Sequence, residues 1–281
     1  MALLTITRLT FLEAIRRRIA LSAFVLGLAF LVLYGIGFYF IAYQSGLPAT
    51  GATGALFRSQ IFNFLSLAGM YAVNFLTIAM GALVSADTLA GEIASGTVQA
   101  LVTKPVRRSD IVLGKWLGFA GLLLAYLLLM LGGVVAIVYF ETGYAVPNMV
   151  TGLLLIYLES LVIMSLTLAS SSAISTLAAG GVVFGLWGLA FIGGFVEQIG
   201  SLLKNDTVVN IGIISSLILP TEAVFRRAAW IMTAPAVQAL GFSSGPLFVA
   251  SVPSPAMVVY AGIYLVVLVV FTVRHFGRRD L

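Results

Sequence analysis

The chain has 281 residues, of which 61% are hydrophobic and only 9% charged, with a formal net charge of +5 and a mean hydropathy of +1.12. A soluble domain carries roughly 25% charged residues, so these proportions exclude a soluble enzyme, and they equally exclude a disordered chain. What remains is an integral membrane protein whose basic excess suits anionic headgroups rather than nucleic acid, without a cysteine for disulfides or thiolate metal sites.

In chain order, the first eighteen residues read as an amphipathic helix on the membrane surface, with Leu4, Phe11 and Ile15 on one face and Glu13 and Arg17 opposite. Six apolar stretches follow, 19–43, 61–86, 116–140, 151–173, 177–199 and 256–273. Each is long enough, or nearly so, for a helix to cross a hydrocarbon core of about 30 Å. The first is too long for the core of a cleavable signal and is expected to stay as an anchor. The runs are continuously apolar rather than alternating, which favours helices over a barrel. The expected fold is an all-α polytopic membrane protein with six spans forming one domain over 1–281.

Lys and Arg set the expected orientation. Eleven lie before the first span, between the second and third, or after the last; Arg58, Lys204, Arg226 and Arg227 are the four on the other side. The positive-inside rule then puts both termini and the 87–115 loop in the cytoplasm, and residues 200–255 outside. A seventh span over 228–252 is disfavoured by Pro235, Gly241, Ser243, Ser244, Gly245 and Pro246.

The 87–115 loop predicts an amphipathic helix. Leu89, Ile93, Thr97, Ala100 and Leu101 share one face, while Thr88, Glu92, Ser95 and Gln99 cluster on the other. Pro105 stops it, with Lys104, Arg107 and Arg108 at its end. In the fourth span Glu159 stands alone among apolar residues, where a charge costs at least about 2.5–3.5 kcal/mol. It marks either a cargo path or proton relay, or a carboxyl hydrogen-bonded to a neighbouring helix, with Asn63 and Asn74 as partners. Gly181-x-x-x-Gly185 and Gly188 in the fifth span predict close helix packing, and Glu197 reads as interfacial. In the outer segment Val208–Leu219 is too short to cross and reads as interfacial or re-entrant. Thr221 reads as a helix cap with Glu222 in the first turn, and Arg226 and Arg227 as solvated or at headgroup level.

Several chemistries are missing. No G-x-x-x-x-G-K-[ST] phosphate loop is present. Gly241-Phe242-Ser243-Ser244-Gly245 matches a nucleophile elbow, but the single histidine, His275, follows the last span on the other side and cannot serve Ser243 as base. The scattered methionines offer no cluster of soft metal ligands.

Glu92-x-x-x-Gly96-Thr97, then Leu101, Pro105-Val106, Arg108, Ile111 and Leu113-Gly114-Lys115, resembles the cytoplasmic loop of type-2 ABC transporter permeases. Phe11-x-Glu13 with Arg16–Arg18, and Leu219-Pro220-Thr221-Glu222 with Arg226, are similar to the multicopper-enzyme and nitrous oxide reductase maturation branch. The resemblance implies a non-catalytic permease in a prokaryotic cell membrane, paired with a second permease, a further copy of this chain or a different one, and two cytoplasmic ATPase subunits. ATP and magnesium would be bound by the ATPase, and this chain would carry no cofactor. Glu92, Ser95, Gly96, Thr97 and Gln99 would form the coupling face, Pro105 would set its exit, and Arg108 and Lys115 would anchor it to the leaflet. Thr221, Glu222, Arg226 and Arg227 would face an extracytoplasmic accessory protein. The competing readings are a proton-coupled carrier using Glu159, a hydrolase using Ser243, and a non-transporting anchor for an outer protein.

Overall fold

The structure is a computed structural model that describes residues 2–44, 52–94, 107–239, 247 and 249–278. Among the described residues the regular elements are all helices: α1 (Ala2–Arg16), α2 (Arg18–Gln44), α3 (Ala52–Ala94), α4 (Arg108–Thr142), α5 (Met149–Ala173), α6 (Thr176–Leu202), α7 (Asp206–Ile218), α8 (Thr221–Ile231), α9 (Pro235–Ala239) and α10 (Pro255–Arg278). Six are long and apolar enough to cross a membrane, namely α2, α3, α4, α5, α6 and α10. With these six as the crossings and the bent α7–α8 pair turning back, the C-terminus returns to the face of the N-terminus, the terminal face. A hydrogen bond of 3.3 Å from Arg108 Nη1 to the Gly277 carbonyl joins the start of α4 to the end of α10 on that face.

Helices α3 and α5 form the centre, with 61% of their apolar windows buried, against 11% for α2 and α10. Tyr126, Leu127, Met130 and Val134 of α4 interlock there with Met70 and Val73 of α3, Ile156 of α5, and Phe225 and Ala228 of α8. In lipid such contacts gain dispersion rather than hydrophobic burial, so close fit decides which helices neighbour one another.

Helix α1 departs from its sequence reading at one residue. Leu4 points outward, while Phe11 and Ile15 pack inward as expected and Thr10 and Ala14 are buried. The packing face runs through Leu3, Ile6, Thr10 and Ala14 because α4 offers two glycines beneath it. A methyl group at Gly114 would lie 2.7 Å from Ile6 Cγ2, and one at Gly118 would lie 2.8 Å from Thr10 Cβ. The helix thus grips a span-length helix.

The segment after α6 turns back into the protein. Asn205 caps α7, its side-chain oxygen accepting from the backbone N–H groups of Thr207 and Val208. Helix α7 then runs about 20 Å, too short to cross. Its Ser215 hydroxyl donates to the Leu189 carbonyl in the middle of α6, at 3.0 Å. At Leu219 and Pro220 the chain bends by 109° into α8. The packing glycines here are Gly193 and Gly194 of α6 and Gly212 of α7, where an added methyl would collide with Ser215, Glu222 and Glu197. Gly181, Gly185 and Gly188 do not pack as their spacing suggested: nothing lies within 4 Å of a methyl built on any of them.

Candidate functional site

Two regions carry the residues singled out by sequence. On the terminal face α3 continues without a break from its span to Ala94, because nothing between Ala86 and Ala94 stops a helix. Glu92 lies on that extension. Ser95, Gly96, Thr97, Gln99 and Pro105 fall outside the described residues. The return of the loop is firmly held: Arg108 is clipped to the end of α10, and Lys115, expected to lie on the leaflet, is instead buried beside the α1–α4 contact.

The second region lies beneath the re-entrant turn. Glu159 is fully buried, and Asn74 Nδ2 donates to its Oε1 at 3.3 Å, so of the two candidate asparagines Asn74 is the partner. Asn63 instead accepts from the Tyr144 hydroxyl at 3.4 Å. Arg226 is 0% exposed, which overturns its placement at headgroup level. Its Nη2 meets Glu197 Oε2 at 2.6 Å and its Nη1 donates to the Ser251 carbonyl at 3.2 Å. Ser251 Oγ donates to the other oxygen of Glu197 at 2.5 Å. Glu197 is accordingly structural and buried rather than interfacial. Arg227 is half-buried and donates to the Pro253 carbonyl at 2.7 Å.

Between these pairs sits Glu222, within electrostatic reach of Glu159, Arg226 and Glu197. Its Cγ would lie 2.5 Å from a methyl at Gly194, so only glycine lets α6 pass it. Neither carboxyl oxygen of Glu222, nor Glu159 Oε2, nor the Thr221 hydroxyl has a hydrogen-bond partner among the described residues. Thr221 therefore does not cap α8, whose N-cap is Pro220. Thr221, Glu222 and Arg226 are all buried, so they offer no surface to an outer protein. The lone charges Glu159 and Glu197 were visible in the sequence. The partnership of Glu197 with Arg226 was not, because α8 is polar enough to pass for a surface helix.

What the arrangement can do is mechanical. A buried ion pair fixes a short helix hairpin among spans, while a continuous helix carries the second span out to the terminal face. Residues 4–281 match the family of ABC-2 family transporter proteins. The chain belongs to that family. No curated protein matches it. As an ABC-2 permease it is the polytopic, non-catalytic membrane subunit of an ABC transporter, in a family that carries no cofactor and pairs with ABC ATPase subunits. Membership leaves the secondary-carrier and hydrolase readings without support. In the permease Ser243 lies outside the described residues, and His275 stacks on Phe271 with ring centroids 5.5 Å apart.

Proposed function

We propose that this permease works in an export or maturation transporter of a prokaryotic cell membrane, with both termini and the 87–115 segment in the cytoplasm. Two copies of a separate ATPase bind ATP and magnesium and push on that segment; two copies of the permease carry the motion across the bilayer. The observation that supports this most is the anchoring of the segment at both ends. It leaves α3 as a rigid extension of a central span, and it returns at Arg108 into a helix gripped by α1 and clipped to α10. Force applied at Glu92 therefore enters α3, and force applied at Arg108 enters α4 with α1 and α10 held against it.

The maturation branch rests on the sequence resemblance. Without cysteine, and with His275 the single histidine, the spans are poorly equipped to pass copper. The cargo is another species, or the permease transmits force to an outer partner that binds elsewhere than Thr221, Glu222 and Arg226.

Co-purification with the ATPase and cargo-stimulated hydrolysis test the coupling role. Glu92→Lys and Gly96→Leu should each weaken association or uncouple hydrolysis, while Lys204→Glu on the opposite face changes neither. If both segment variants bind and couple like wild type, the segment is an interfacial helix only.

A further inference from the structure

The face opposite the termini holds a cavity of about 430 Å³ between the ends of α2, α3 and α4. Its wall includes Tyr43, Arg58, Phe62, Glu141, Thr142 and Tyr144. Most polar groups there are already committed. The Tyr43 hydroxyl donates to the Glu141 backbone carbonyl at 3.0 Å, and Tyr144 donates to Asn63. Thr142 donates to the Val138 carbonyl at 2.6 Å and accepts from the Tyr144 N–H at 3.2 Å. Gly143, at φ 69° in the left-handed region that glycine tolerates best, ends α4 and turns the chain across the pocket.

Two charged groups are left over, and they carry opposite charges. Neither Arg58 nor the Glu141 carboxylate has a side-chain hydrogen bond or ion pair among the described residues, and Arg58 Nε is buried without an acceptor. A buried donor left unpaired is costly, and a guanidinium fork matches phosphate oxygens. A free carboxylate beside it suits an ammonium. The depth of the pocket narrows the source. Exposed aromatic residues crowd the same helix ends, Tyr39, Phe40 and Tyr43 on α2, Phe57 on α3, Tyr139 and Phe140 on α4, as at the headgroup layer of a bilayer.

The geometry points to a binding site for the zwitterionic headgroup of an ethanolamine phospholipid, its phosphate on Arg58 and its ammonium on Glu141. This is a site apart from the coupling segment and independent of the cargo. A choline headgroup fits less well, because its quaternary ammonium has no N–H to give Glu141.

The full-length permease, reconstituted with equal ethanolamine and choline phospholipids of matched chains, is extracted in mild detergent, and its retained lipid is quantified by mass spectrometry. Wild type should hold the ethanolamine lipid in excess over the bulk ratio. Arg58→Gln should lower retention of both lipids about tenfold, the effect of one lost bond to a charged group. Glu141→Gln should erase the preference for ethanolamine over choline with a smaller fall in the total. Thermal unfolding confirms that each variant is folded; should Arg58→Gln fail to fold, the lost preference in Glu141→Gln decides alone. Retention in the bulk ratio by wild type, or an unchanged ratio in Glu141→Gln, overturns the proposal. Displacement of the lipid by micromolar soluble phosphoethanolamine overturns the lipid occupant in favour of a soluble zwitterion.

Discussion

Glu159 and Arg226 carry the same lesson from opposite sides. An isolated carboxyl in an apolar run announces itself in sequence, and Asn74 was one of two plausible partners. Arg226 lies on a helix of mixed polarity, and its partner Glu197 is 29 positions away on another helix, so nothing local signals the pair. The energetic consequences differ accordingly. Removing one member of a buried pair leaves an uncompensated charge, at about 3–5 kcal/mol. Glu197→Ala should therefore lower the thermal unfolding temperature of the purified permease sharply, and Arg226→Met combined with it should recover much of the loss. A double variant no better than the single one would mean that Arg226 finds its counter-charge elsewhere. Glu159→Gln preserves shape and a hydrogen bond to Asn74. It should leave folding intact, and wild-type transport in that variant would make Glu159 a packing residue.

At the scale of elements, glycine spacing misled because small residues serve two purposes in membrane helices. Gly193 and Gly212 let α6 and α7 close into a hairpin. Gly181 and Gly185 keep a face of α6 bare, beside exposed Leu177, Val182 and Leu189. Spacing cannot tell an inner contact from an open groove, because that depends on which helix arrives. For the proposed two-copy permease, we place the second copy on that bare face. Gly212→Leu should collapse yield and stability, since the new side chain meets the Glu197 backbone. Gly185→Leu should leave the folded subunit intact but weaken self-association, read by cross-linking from single cysteines on α6. Loss of folding in Gly185→Leu would show that the face is filled within one chain.

Across the whole molecule, the crossings were legible because apolar length belongs to each segment alone. Runs expected at 19–43 and 151–173 appear as Arg18–Tyr43 and Met149–Ala173. The seating of α1 on α4, the burial of Lys115 and the inward fold of α8 were not legible, since each depends on contacts between segments distant in sequence. Orientation lies between these cases. With the six apolar helices as the crossings, the two termini share one face, and the sequence reading assigns eleven of the fifteen Lys and Arg residues to it. The bilayer charge asymmetry then sets which way it points. The natural chain has no cysteine, so single cysteines can be placed without a background to remove. Ser109→Cys stands at the start of α4 on the terminal face, and Lys204→Cys just past α6 on the other. An impermeant thiol reagent applied to intact cells should modify the cysteine at 204 and spare the one at 109 until the membrane is opened. The reverse pattern would place the 87–115 segment outside, beyond the reach of any ATPase fed by cytoplasmic ATP, and the coupling role proposed for Glu92 and Gly96 would fall with it.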